Sequence, residues 1–277
     1  MNTFKLESFI QTEQQIVTNE SNLSICLKAD GFIFAVIDSR FRLNAIGEFI
    51  VDLSGSITQV MTNVKACFSS IGVHIFNFKK TRIVCPTDRN VWIPYKLYDN
   101  TKYKEYLKTV TPVHSSDTVI SNVCDKLDAV NIFAYSLQQY SGLKIVMPKA
   151  QFVCPSFVEV EYAFDASSLM QNTLVLNKRA GSCDFVIFKG SSFTISNSFT
   201  YQTPEDLVYF ILYTLQQLEI NTSEVNLMIT GDEYEQSELN ILRRYIKNVS
   251  YANPSENIIV PNEFGDLDLQ KYFLVIA

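Results

Sequence analysis

The side chains able to do chemistry in this 277-residue chain are scattered rather than gathered into a signature. Its two histidines, His74 and His114, stand 40 positions apart with no cysteine or carboxylate at ligand spacing, so neither marks a zinc site. His74 falls in the apolar run 73–78 and is expected as a buried or half-buried strand residue. No GxSxG, GxxxxGK(S/T) or HExxH occurs. Glu159 and Glu161 alternate with Val158, Val160, Tyr162 and Phe164, which reads as a strand with two carboxylates on one face. An acid–base pair needs one of them desolvated, and paired acids on a solvated strand face are far commoner.

Six cysteines (Cys26, Cys67, Cys85, Cys124, Cys154, Cys183) include no CxxC pair. Most sit among apolar neighbours, where a thiol behaves as a small hydrophobe, and the expectation is reduced core cysteines in a cytoplasmic protein. Basic residues concentrate at Lys79, Lys80 and Arg82 and at Lys102, Lys104 and Lys108, with the single tryptophan, Trp92, between the two clusters. An aromatic beside lysines can hold a partner or a nucleic-acid strand; capping the core of the first half is the preferred reading.

Charge is uneven. Residues 1–150 carry 16 Lys+Arg and 13 Asp+Glu, a net +3, whereas residues 151–277 carry 7 and 16, a net −9. The acidic half disfavours nucleic acid as a partner and fits a solvated face or a docking surface between oppositely charged halves. With 47% hydrophobic and 19% charged residues, the chain can build a sizeable core. Its longest apolar runs are far short of the roughly 20 residues that span a bilayer, so no membrane insertion is expected. Residues 1–22 hold Glu7, Glu13 and Glu20 and read as a polar, partly frayed leader rather than a secretory signal.

The elements that must position any site follow a repeated order. Residues 23–31, 32–37 and 41–51 read as a three-strand meander with a polar turn at Asp38-Ser39-Arg40. A helix follows, capped by Ser54 or Ser56, with Ile57, Val60, Met61, Val64, Cys67, Phe68 and Ile71 on one face and Gly72 at its end. Extended structure returns at 73–78 and 82–86. In the second half, 172–177, 184–188 and 192–196 are strands, Thr203-Pro-Glu-Asp206 opens a helix, and 225–231 is the strand after it. The spacing predicts two similar halves, 1–150 and 151–277. Between them, 117–128 reads as a helix through Val119, Ile120, Val123 and Leu127, and 130–135 as a strand. After Gly231, 237–247 reads as a helix.

This duplicated α/β pattern resembles the actin-like ATPase domain, an elaboration of the ribonuclease-H-like fold. The likeness is carried chiefly by 177–191, by 203–218 and by Leu227-Met-Ile-Thr-Gly-Asp232. More narrowly, Asp30-Gly-Phe-Ile-Phe-Ala-Val36, Asn131-Ile-Phe133 and Thr203-Pro-Glu-Asp-Leu-Val-Tyr-Phe210 are similar to a family of uncharacterised Bacteroidota proteins with a degenerate actin-like fold. The superfamily also includes assembly proteins of cell division, type IV pili and type II secretion. The resemblance implies two glycine-rich turns around ATP phosphates, an acid in each for Mg²⁺ or a water, and a third turn at the adenosine.

Here the first turn offers only Asp30 and Gly31. The second, 177–182, offers Lys178, Arg179, Gly181 and Ser182 and lacks the acid. The third has a single glycine, Gly231. These six residues without Arg179 (Asp30, Gly31, Lys178, Gly181, Ser182, Gly231) are the nucleotide-cleft candidates, and no catalytic or metal residue is assigned. The expectation is a non-catalytic actin-like protein acting through a protein partner or self-association, with no required cofactor. Two alternatives are an ATP-binding switch with slow or no hydrolysis, and nucleic-acid binding by the basic half.

Overall fold

The computed structural model describes residues 4–13, 15–168, 171–179, 181–253 and 257–277. Residues 1–3 and 14 of the expected leader, and position 180 in the second candidate turn, lie outside the described residues. The chain opens with strands β1 (Phe4–Gln11), β2 (Ser21–Lys28), β3 (Gly31–Asp38) and β4 (Leu43–Val51), then helix α1 (Ile57–Ser70) and β5 (Lys80–Val84). An inserted unit follows: β6 (Asn90–Pro94), α2 (Tyr103–Lys108), β7 (Asp117–Cys124) and β8 (Ala129–Ser136). Next come α3 (Leu137–Val146), β9 (Gln151–Val153) and α4 (Pro155–Ala166). The remainder is β10 (Asn172–Arg179), β11 (Ser182–Lys189), β12 (Ser192–Thr200), α5 (Pro204–Gln217), β13 (Val225–Gly231), α6 (Gln236–Tyr245), β14 (Asn248–Tyr251) and α7 (Phe273–Ile276).

Two sheets share one plan. The first runs β1-β4-β3-β2-β5-β9 and the second β12-β11-β10-β13-β14. In each, an antiparallel meander is followed by a helix and by a strand that pairs in parallel with the meander's first strand, β5 on β2 and β13 on β10. A further parallel strand, β9 or β14, closes the series. Helix α1 covers one face of the first sheet, where Phe68 packs among Phe32, Phe34 and Phe49. Helix α4 lies on β10, β11 and β12, α7 lies on β2 and β3, and the two helices touch each other. One hydrophobic cluster therefore runs from the first sheet through α4 and α7 to Val175, Val186 and Phe188 of the second. A separate cluster joins the other face of the second sheet to α5 and α6.

Local chemistry sets the element ends. Ser56 and Gln59 form a reciprocal capping box on α1, and Gly72 follows its end at φ 71°. Thr203 and Asp206 do the same on α5, with Pro204 at its first position.

The structure corrects four expectations. The leader is not frayed: β1 pairs with β4, and a bulge between Leu6 and Ser8 breaks the alternation that would have revealed it. Residues 117–124 are strand β7 rather than helix, because β-branched Thr118, Val119, Ile120 and Val123 pair along β8. Glu159 and Glu161 lie on helix α4, which starts at Pro155, and not on a strand. Residues 73–78 form no strand; Val73 and Ile75 are buried but His74 is exposed. Strand β9 adds to the edge of the first sheet beside β5.

Candidate functional site

The first candidate turn joins β2 to β3. Gly31 is required by close approach: a Cβ there would lie 1.9 Å from the Phe49 carbonyl oxygen. Asp30 is exposed, and its carbonyl accepts a hydrogen bond from the Val51 N–H at 2.8 Å. Beside it, Lys28 donates to buried Glu48, which Lys271 also reaches from the C-terminal segment. Burial alone would raise the Glu48 carboxyl, but hydrogen bonds from Lys271 and Lys28 outweigh it and hold the group below its ordinary range.

The second turn joins β10 to β11, and its cations are already engaged. Lys178 pairs with Glu238 of α6 at 2.6 Å, donates to the Glu233 carbonyl at 2.9 Å and lies over the Tyr234 ring. Arg179 pairs with Asp184 of β11 at 2.6 Å, where Ser198 also donates at 2.6 Å. Gly181 takes φ 72° with open space around it, so its role is conformational, and Ser182 pairs with Arg179 across the hairpin.

The third turn ends β13. Gly231 has φ 93°, and a Cβ there would meet the Lys178 carbonyl oxygen at 2.1 Å. The Asp232 N–H donates to that same carbonyl at 2.9 Å. The structure thus brings Lys178, Gly181, Ser182 and Gly231 to one end of the second sheet. Asp30 and Gly31 stay on the first sheet, and no hydrogen bond or ion pair joins them to the other turns among the described residues.

Between the sheets lies a polar cluster that no sequence pattern announced. Glu159 of α4 is 1% exposed and accepts from Asn177 Nδ2 at 2.7 Å. Burial, and then the negative charge of Asp184, push its carboxyl well above the ordinary range. Desolvation lowers the Arg179 guanidinium, but the charge and hydrogen bond of Asp184, with smaller contributions from neighbouring acidic groups, together outweigh it and hold the group above its ordinary value. Arg179 with Asp184, Glu159 with Asn177, and Ser198 therefore fill this region with bonds internal to the protein. Cys26 and Cys154 lie beside the cluster, and burial pushes each thiol up to about 12. All six cysteines are free and buried, so none is a ready nucleophile.

Trp92 is also placed differently from its expected role. Its indole N–H donates to Ser156 of α4 at 2.8 Å, and its ring stacks on Phe157 and meets Phe193 edge-on. It joins the inserted unit to the second half instead of capping the first. Among the described residues no group of His, Cys, Asp and Glu is arranged to hold a metal ion, and no helix is long and apolar enough to cross a membrane.

Comparison with solved structures shows an actin-like ATPase fold. A Bacteroides thetaiotaomicron protein with that fold and unknown function superposes with a TM-score of 0.73 at 24% identity, over 94% of this chain and 99% of that one. A chain of the PilM–PilN type IV pilus biogenesis complex superposes with a TM-score of 0.56 at 13% identity, over 92% and 96%. No curated protein matches the sequence. Residues 11–249 match the family described as protein of unknown function DUF3822, and the chain belongs to that family.

Proposed function

We propose that this protein is a non-catalytic member of the actin-like fold that acts through contacts with other proteins, in assembly, scaffolding or regulation. The observation that carries the reading is the state of the second turn. Lys178 and Arg179, the cations nearest to where phosphate would be held, are bound by Glu238 and Asp184. A phosphate would have to displace two largely desolvated ion pairs, and breaking one such pair costs about 3–5 kcal/mol. The turn also lacks a carboxylate to hold Mg²⁺.

Three further features support a contact role. The PilM chain with the same fold was solved bound to PilN. Tyr209, Phe210 and Tyr213 stand on the outer side of α5, 61%, 38% and 50% exposed, with Tyr209 stacked on Tyr213 and Phe210 packed on Phe199. Exposed aromatic clusters of this kind favour protein recognition. They adjoin β12, the edge strand of its sheet. The free, buried thiols fit a reducing compartment, so we assign the protein to the cytoplasm. The common order of the two sheets is accounted for by internal duplication.

Purified protein with millimolar ATP and Mg²⁺ is expected to release no phosphate and to show no thermal shift. Magnesium-dependent hydrolysis that disappears in Asp30→Ala would overturn the reading. A second reading, a nucleotide-binding switch without turnover, is favoured by Asp30 alone, which is exposed and forms no ion pair among the described residues. A thermal shift with ATP but no phosphate release selects it.

A further inference from the structure

At one end of the first sheet, exposed cations and exposed apolar side chains are interleaved. The turn from β3 to β4 and the starts of β2 and β5 all lie there, since Ser21 pairs with Asp38 and Asn22 with Lys80. Lys149 joins them from the segment before β9, whose Gln151 pairs with Arg82. Arg40, Lys79, Lys80 and Lys149 are exposed, and none forms an ion pair among the described residues. The exposed acids of this end are Glu13 and Glu20, while Asp38 is turned onto the N–H groups of Arg40 and Arg42.

Each apolar side chain has a cation beside it. Phe41, 64% exposed, stands between Arg40 and Arg42 in the turn, and exposed Ile259 is bridged to Arg42. Phe76, 61% exposed in the segment that enters β5, carries the Lys65 ammonium 5.7 Å from its ring centroid. Exposed Val17 precedes Thr18, whose carbonyl accepts from the Lys79 N–H at 3.2 Å. Phe41 also holds φ 60°, a left-handed conformation that is an outlier for a bulky residue. Its N–H donates to the Asp38 carbonyl at 3.0 Å, and its carbonyl accepts from the Ile259 N–H at 2.7 Å, which pins it there. Strain of this kind persists only where the surroundings impose it, and it clusters at functional positions. Here it holds a phenyl ring out in water.

Three kinds of occupant would meet this end differently. The core of a protein–protein interface is depleted in lysine, whereas lysines stand among these apolar tips. A nucleic-acid strand stacks on aromatic rings but gains nothing from Val17 or Ile259. An anionic bilayer uses both kinds of group. Its headgroup boundary buries aliphatic and aromatic tips alike, and its surface charge attracts the cations. The net charge of −6 does not oppose this, because at physiological salt exposed charges farther away than about 8 Å are largely screened.

We propose that this end of the first sheet docks on the surface of an anionic phospholipid bilayer, with Val17, Phe41, Phe76 and Ile259 entering the headgroup boundary between the cations. The attachment is peripheral. It is independent of the contact role, because the aromatic face of α5 belongs to the second half and carries none of these residues. Loss of either reading leaves the other intact.

Co-sedimentation of the full-length protein with phosphatidylcholine vesicles, pure or containing about one-third phosphatidylglycerol, tests it. Binding to the anionic vesicles is expected, absent with pure phosphatidylcholine and lost at about 0.5 M salt. Lys79→Gln/Lys80→Gln should weaken it about 25-fold, since each cation near such a surface contributes roughly fivefold. Phe41→Ser should weaken it about tenfold, through the ring that no longer enters the boundary. All three side chains are exposed, so the variants should fold, and an unchanged far-UV circular dichroism spectrum checks this. The wild-type measurement decides without them. No co-sedimentation of the wild type with anionic vesicles at millimolar lipid overturns the proposal. So does binding that Phe41→Ser leaves unchanged, which would mark the end as a site for polyanions such as nucleic acid.

Discussion

At Glu159 a carboxyl has been taken out of water and set beside a second one, Asp184, which already carries the charge that balances Arg179. Two ionised carboxylates there would be uncompensated, so the protonated form of Glu159 is favoured. Its folded-state pKa is raised above the unfolded value. The stabilisation is therefore complete below the unfolded pKa of about 4.3 and is lost as pH rises toward the folded pKa. In that window the wild type is expected to lose up to about 1.4 kcal/mol per pH unit from this group. Glu159→Gln keeps the acceptor for Asn177 and offers an N–H where the proton was, so urea midpoints measured from pH 5 to 8 should decline less steeply in the variant. Equal slopes would mean that Glu159 is ionised in the folded protein. The candidate site was only partly legible at this scale. Lys178 and Arg179 could be read from the turn as anion-attracting cations, but their partners Glu238 and Asp184 are 60 and 5 positions away, and only the fold brings them into contact.

Among the elements, the hairpins and caps could be read because their chemistry is local. Ser56, Gly72 and Thr203 satisfy or end helices with groups a few positions away, whatever the rest of the chain does. Helix α4 could not be read, because it is covered by the second sheet and by α7 and so is buried on several sides: Phe157, Val158, Glu159, Val160 and Ala163 are all inaccessible. The polar positions on its open side, Glu161, Tyr162 and Asp165, lie at the C-terminal end of a helix buried on its other sides, so a 3.6-residue polarity is not displayed along it. The turn glycines make a prediction at this scale. Gly31→Ala forces a Cβ against the Phe49 carbonyl and should cost at least about 3 kcal/mol through a displaced β3–β4 ladder. Gly181→Ala meets open space and should cost only the left-handed backbone penalty of about 1–2 kcal/mol. Comparable losses for the two in chemical denaturation would contradict the packing described around Gly31.

For the whole molecule, the shared hydrophobic cluster and Trp92 tie the halves together. Unfolding followed by Trp92 fluorescence and by far-UV circular dichroism should give coincident transitions, whereas independent halves would separate them. Trp92→Ala should cost about 3–5 kcal/mol, because it removes both ring contacts and leaves the Ser156–Ser196 hydroxyl pair without its indole donor. The amino-acid sequence by itself determined the repeated order of strands and helices, the charge asymmetry and the glycine-poor composition of the three candidate turns. Each of these is written in near-neighbour periodicity or in residue type. Only the tertiary structure decided that β1 and β9 complete the first sheet, that Glu159 is a buried acid with a raised pKa, and that the turn cations are bound internally. Those outcomes depend on pairings between residues far apart in the chain and on burial, and the electrostatic cost of a charge is set by what surrounds it.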